Sequence, residues 1–375
     1  MSGSDLAIRA FAILTGSVLV MLMIADVFQS VVLPRAANFR FRVSSRLSRW
    51  GWPVVRDYAL RRIPHEEKRE DFLASYAPFA LVAFIVLWIG GLIVGFGAIL
   101  YGLRGMVHGI VGYDDSLYFA GASLLTIGYG DLYPVGGPAR LVAILAGAFG
   151  LGVFAITTAF LFAVFGSFQN REVFVVSFGA RAGSPPSGVT LLETYAELGI
   201  PGELGAIFER GVSWSATVLE SHLAYPILGY FRSSHDRESW IATLGALLDA
   251  AALASTVVAD RPLRAHATFF LDMGGHVVHD LAKAYHLEAP GAAGIERAEF
   301  DIARDRLRAA GLTVLEGDEI WTDFCLIRSK YVESLQAMAH FWAIPPAMWI
   351  GDRGNVPHGP SAGGLDSNGV AASAA

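Results

Sequence analysis

The stretch Asp114-Asp115-Ser116-Leu117-Tyr118-Phe119-Ala120-Gly121-Ala122-Ser123-Leu124-Leu125-Thr126-Ile127-Gly128-Tyr129-Gly130-Asp131-Leu132-Tyr133-Pro134 decides the fold. It sits between two apolar runs, one from about Phe72 to Leu103 with the core FALVAFIVLWIGGLIVGFGAIL, the other from about Pro138 to Phe168. Each is long enough to cross a bilayer, which takes roughly 20 apolar residues. A span, a short helix, a glycine-punctuated loop and a second span make a re-entrant hairpin. Non-helical backbone at membrane depth is stable only where protein or water satisfies its polar groups. The loop is therefore expected to line a wet path or to carry an ion.

Composition supports a membrane chain throughout. Hydrophobic residues make up 54% of the 375, and charged ones 17%, against about 25% in soluble domains. Mean hydropathy is +0.47. These values exclude a disordered chain and argue against a soluble one. The net charge of −6 lacks the basic signature of nucleic-acid binding. One cysteine, Cys325, excludes a disulfide framework or a cysteine-only metal cluster within one chain and reads as a buried, inert thiol.

A third span runs from about Leu6 to Ala25. No cation precedes it, and it is too long for a secretory signal. Between it and the next span come Arg35, Arg40, Arg42, Arg46, Arg49, Arg56, Arg61, Arg62, Lys68 and Arg69, whereas the segment between the other two spans offers only Arg104 before Arg140. The positive-inside rule puts the Arg-rich loop inside, the N-terminus and the 104–137 segment outside, and everything after Phe168 inside. Phe39, Val43, Leu47, Trp50 and Val54 recur at helical spacing in that loop, with Arg42, Arg46 and Arg49 on another face. The pattern predicts an interfacial helix on anionic lipid within residues 35–70, or a plain amphipathic linker. It is not a voltage sensor, which needs arginines inside a span.

Glycine at 128 and 130 allows torsions that a side chain forbids. Alternation with Thr126, Ile127 and Tyr129 can turn successive carbonyls onto a common axis. Rings of such oxygens, one strand per subunit, replace the hydration shell of a large monovalent cation, with the Thr126 hydroxyl at the inner mouth. Asp114 or Asp115 caps the short helix, whose C-terminal partial charge points toward the bilayer centre.

TIGYGDLYP resembles the signature of the potassium-channel pore family, and the two-helix hairpin around it fits that family over residues 72–168. The resemblance implies a filter of Thr126, Ile127, Gly128, Tyr129 and Gly130, with Asp131 at the outer mouth and Leu125 and Tyr118 as filter support. It implies K+ as the permeant ion, no organic cofactor, and four identical chains around one pore. Tyr129 favours potassium over sodium, because relatives with an acid there resemble nonselective channels. Gly150 falls where pore-lining helices of the family have a hinge, with close packing as the other reading. Two departures stand out. Leu125 occupies a position that is often threonine, and Ala122 one where some relatives carry a carboxylate behind the filter.

The expected fold class is an all-α membrane protein: a pore domain of two helices plus pore helix, an extra N-terminal transmembrane helix, and an α-helical cytoplasmic domain. The segments are 1–34, 35–71, 72–168, 169–350 and a disordered tail, 351–375. Expected module helices are Val189–Leu198, Pro201–Leu223, Arg237–Val258, Arg264–His286, Ile295–Ala309 and Glu319–Phe341, with strand character at Val173–Phe178 and Leu312–Leu315. Ile241–Val258 is apolar but short, with Asp249 at its centre, and reads as a buried soluble helix. Asp272, His276, His279 and Asp280 share a helix face near His286, a weak pattern for a divalent metal or a proton sensor. His222 and His235 flank Tyr225, Tyr230 and Phe231 and are read as structural; Trp321, Phe324 and Trp342 are core candidates. No dinucleotide fingerprint, phosphate loop or calcium loop appears, and no nucleophile–base pair suggests an enzyme. The resulting expectation is a potassium channel of a bacterial inner membrane, gated by its helical module. The alternatives are a nonselective or weakly conducting cation channel, and a membrane-anchored sensor or scaffold with a vestigial pore.

Overall fold

The structure, a computed structural model, describes residues 3–32, 43–233, 238–287, 295–345 and 347–350. Arg35, Phe39, Arg40, Arg42, His235, Arg237, the tail 351–375 and the side chain of Val43 lie outside the described residues. The protein is an all-α membrane protein. Three helical stretches are long and apolar enough to cross a bilayer: Gly3–Val31, Glu66–Gly102 and Gly137–Ala182.

The chain divides into two compact units. The first comprises Met1–Ser177, Ser213–Trp240 and His279–His286, so segments expected in the 169–350 module pack with the membrane helices. Its elements begin with α1 (Gly3–Val27), α2 (Val43–Arg62), α3 (Glu66–Ala74) and α4 (Tyr76–Gly102). There follow β1 (Val107–His108), the short α5 (Tyr113–Leu124), β2 (Tyr133–Pro134) and α6 (Gly137–Ala182).

Helix α1 lies antiparallel against α4 of its own chain. A Cβ on Gly16 would fall 2.5 Å from the Gly95 carbonyl oxygen, so only glycine permits this backbone approach, the small-residue mode of helix packing in lipid. At one end Asp5 pairs with Arg9 at 3.1 Å and with Arg104. Toward the other end the Trp88 indole donates to the Asp26 carboxylate at 2.7 Å, both groups buried. The start of α1 thus shares an end of the bundle with the loop that carries the glycine-rich stretch.

Helix α6 corrects the reading of Val173–Phe178 as strand. The β-branched and aromatic residues there suggested extended chain, but Phe174, Val175, Phe178 and Ala182 are buried at helical spacing and the helix runs on to Ala182. Among the described residues the only sheet is the two-residue pairing of β1 with β2.

The second unit comprises Phe178–Val212, Ile241–Val278 and Leu287–Ala375. Its elements include α7 (Gly188–Glu197), α9 (Trp240–Thr256), α11 (Arg297–Ala309), α12 (Asp318–Ser329) and α13 (Val332–Phe341), while α8 (Leu204–Ala224) and α10 (Arg261–Ala284) contribute residues to both units. Helix α9 is buried on all sides, as an apolar helix without a polar face requires. Its Asp249 accepts from the Tyr331 hydroxyl at 2.7 Å, the Ile350 N–H at 2.8 Å and Arg328 Nε at 3.4 Å. The expected helix Glu319–Phe341 is two helices, broken at Lys330 and Tyr331. The expected Leu312–Leu315 strand is a single bridge between Val258 and Val314. Phe324 and Trp342 are core residues, Trp321 is half-buried against Phe300, and Cys325 is half-buried rather than buried, with its thiol pushed up by desolvation.

Candidate functional site: the re-entrant loop

The short helix α5 is capped by Gly112, whose N–H and that of Val111 donate to Asp115 at 2.9 and 2.8 Å. These bonds hold the Asp115 carboxyl below the ordinary carboxylate range, and they make Asp115 the capping acid. The helix is clamped between its neighbours. Gly97 of α4 faces Leu117, and Gly150 of α6 faces the Leu124 carbonyl.

At its far end α5 closes in a Schellman motif. The Ile127 N–H donates to the Ala122 carbonyl at 2.8 Å and the Thr126 N–H to the Ser123 carbonyl at 3.2 Å. Thr126 is therefore the residue just past the helix cap, and its φ of +57° is the left-handed value that this position takes. A β-branched residue there is strained. Gly128 and Gly130 follow with φ of +65° and +84°. Nothing lies within 4 Å of where a Cβ would stand at either glycine, so torsion rather than space demands glycine. Positive φ at 126, 128 and 130, alternating with ordinary φ at 127 and 129, is the torsional condition for successive carbonyls to face one way.

Every residue from Leu125 to Asp131 is exposed in the single chain, Tyr129 at 70%. An open groove of about 520 Å³ runs beside it, lined by Phe119, Ala122, Ser123, Thr126, Gly128 and Ile144 among others. Tyr118 of α5 stacks on Tyr129 with ring centroids 6.3 Å apart and planes 7° from parallel. Desolvation and the nearby Asp131 carboxylate push the Tyr118 hydroxyl pKa up. Beyond the loop, His108 stacks on Tyr133 at 4.8 Å and the Val135 and Gly136 N–H groups donate to the Met106 carbonyl, which pins the exit strand to the end of α4.

Gly150 lies within unbroken helix. Asp272, His276 and His279 are exposed on α10, and among the described residues no group of three metal-ligating side chains occurs.

A second cluster of charge sits further along α6. Arg171, 1% exposed, donates to the carbonyls of Leu228 at 3.1 Å and Phe231 at 2.9 Å, pairs with Glu172 at 2.9 Å, and lies 3.3 Å from His222 Nε2. Its own carbonyl accepts from the Trp214 indole at 3.1 Å. Burial and the adjacent guanidinium push the His222 pKa down to about 3. Tyr225 and Phe231 pack on Phe160, Phe165 and Phe168 of α6. The three-ten turn Pro226–Tyr230 is thus fixed to the last third of α6, and its Tyr230 also touches Trp52 of α2 and Tyr76 of α4. The sequence singled out His222, Tyr225, Tyr230 and Phe231 but not Arg171 or Asp26. Their only signal was a charge at the edge of an apolar run.

Residues 83–167, which hold the hairpin and loop, match a family model described as ion channel. The chain is also 26% identical over 141 residues to the uncharacterized membrane protein YdjJ of Bacillus subtilis strain 168. That alignment covers 37% of this chain and 40% of the relative, so this chain spans less than half of its length. No solved structure gives a significant match. The pore-type segment is of ion-channel kind, set within a multi-pass membrane protein.

Proposed function

We propose that the protein is a potassium-selective channel in which four identical chains place Thr126, Ile127, Gly128, Tyr129 and Gly130 around one axis. K+ is the permeant ion, moving passively down its gradient, and no organic cofactor takes part. The observation that carries this reading is the alternation of positive φ at 126, 128 and 130 in a loop that joins two span-length helices. Neutral carbonyl rings of that kind suit a dehydrated large monovalent cation. The loop and the groove beside it are open in one chain, which favours completion by further copies. Asp131, with Tyr118 behind it, holds the outer mouth; Leu125 stands at the inner one.

In the proposed orientation the N-terminus and the loop face outward across a bacterial inner membrane, and the helical module faces the cytoplasm. The pairing of Asp5 with Arg104 is consistent with that parity. Gating is assigned to the helical module. Its route to the pore is the 225–231 segment, which grips α6 through Arg171 and restrains bending of α6 above it, at Gly150 or elsewhere.

Purified protein in liposomes tests the reading. Potassium flux well above sodium flux is expected, lost in Gly130→Ala and made unselective in Tyr129→Asp. Equal sodium and potassium flux in the wild type would refute selectivity. A folded protein with no cation flux under any condition would favour the scaffold reading.

A further inference from the structure

We infer that α2 lies in the headgroup layer of the bilayer, with Leu47, Trp50, Val54 and Tyr58 sunk toward the acyl chains of anionic phospholipid. The argument starts from what holds α2. The Tyr76 hydroxyl, on the first residue of α4, donates to the Ser48 carbonyl at 2.8 Å, and the Trp52 ring meets the Tyr76 ring edge-on at 5.1 Å. Ser48, Trp52 and Ala59 form the buried face of α2. Helix α4 has 27 residues, about 40 Å at 1.5 Å per residue, against a hydrocarbon core of about 30 Å. Its first residue therefore falls in the interfacial layer, and α2 is fastened there.

The opposite side of α2 carries the stripe. Leu47, Trp50, Val54 and Tyr58 are 43%, 72%, 70% and 55% exposed and follow one helix face. Tryptophan and tyrosine with leucine and valine beside them are what the water–lipid boundary accommodates. Charge selects the lipid. Helix α2 holds Arg46, Arg49, Arg56, Arg61 and Arg62 against one acid, Asp57, which Arg56 engages at 2.9 Å. Anionic headgroups complement this excess, whereas a second copy of the same face would set arginine against arginine.

The proposal rests on the membrane reading and not on ion conduction, and its test uses no flux. Full-length protein carrying Cys325→Ser is labelled with an environment-sensitive fluorophore at Trp50→Cys or Val54→Cys, with Glu67→Cys as an exposed reference. It is reconstituted in vesicles of phosphatidylcholine with phosphatidylglycerol, and in phosphatidylcholine alone. Strong quenching by nitroxides on the upper acyl chain, with several-fold less quenching by iodide than at position 67, is expected at 50 and 54. Lipid quenching should deepen when phosphatidylglycerol is present. Labels open to iodide, or shielded from both quenchers as by a second copy or another protein, would overturn the proposal. Equal lipid quenching in the two vesicle types would overturn its anionic part.

Discussion

Gly150 is pressed so closely against the carbonyl oxygen of Leu124 that a Cβ at position 150 would overlap it. Leu124 is the last residue of α5, and the loop starts immediately after it. The long helix and the start of the loop are therefore in backbone contact, and whatever displaces α6 at this level displaces the loop.

Gly150→Ala should consequently destabilise the protein by about 1–3 kcal/mol, the usual range for overpacking, with flux reduced in parallel. Gly152→Ala, where no atom lies within 4 Å of the new Cβ, should be neutral or slightly stabilising through helix propensity. Thermal unfolding in detergent and liposome flux measure the pair. Equal effects of the two substitutions would contradict the contact.

Tyr118 and Asp131 are expected to act as a unit. Tyr118→Phe and Asp131→Asn should each lower stability, and the double variant should cost less than the sum. A coupling energy of about 0.5–3 kcal/mol is the range for contacting residues. A double-mutant cycle on thermal stability in detergent reads it, and strict additivity would show that the two side chains do not interact.

His222 makes stability fall with acid. Its folded pKa of about 3 lies below the ordinary 6.5, so the unfolded chain binds the extra proton between those values. Stability is then full above about pH 6.5 and is lost as pH falls toward 3, by at most about 1.4 kcal/mol for each pH unit crossed. Denaturation at several pH values should show this slope, and His222→Gln should flatten it.

Arg171→Met removes the donor to the carbonyls of Leu228 and Phe231 and takes the cationic partner from Glu172, which keeps the Ser233 hydroxyl. Breaking a buried pair in this way costs about 3–5 kcal/mol. Protease sensitivity of the 225–231 segment is expected to rise in membranes. Unchanged cleavage would show that Arg171 does not hold it.

Trp88→Phe should cost less, about 0.6–1.7 kcal/mol, because hydrogen bonds inside membranes contribute modestly. Loss of the bond to Asp26 is measured by unfolding in mild detergent. A cost above that of Arg171→Met would reverse the ranking of the two buried contacts.

Much of this was legible in the chain. Run length marked the three spans, and Gly128 and Gly130 marked left-handed torsions that side chains rarely adopt. Asp249 in the middle of Ile241–Val258 argued for burial in protein rather than in lipid. Other features were not legible. Val173–Phe178 has strand composition but takes helix because its neighbours bury a 3.6-residue stripe. The break at Lys330 and Tyr331 carries no glycine or proline to announce it. Asp26, one residue past the expected end of the first span, gave no hint that it would meet a tryptophan 62 positions away.

The amino-acid order alone determined that this is a helical membrane protein with a glycine-punctuated loop between two of its spans, since hydropathy over roughly 20 residues and the torsional range of glycine are local properties. Only the tertiary structure decided that α1 packs on its own chain's α4, that Thr126 closes a helix as well as opening the loop, and that Arg171 grips the 225–231 segment. Those outcomes depend on which distant surfaces fit, and complementarity between surfaces is not written in any single window of sequence.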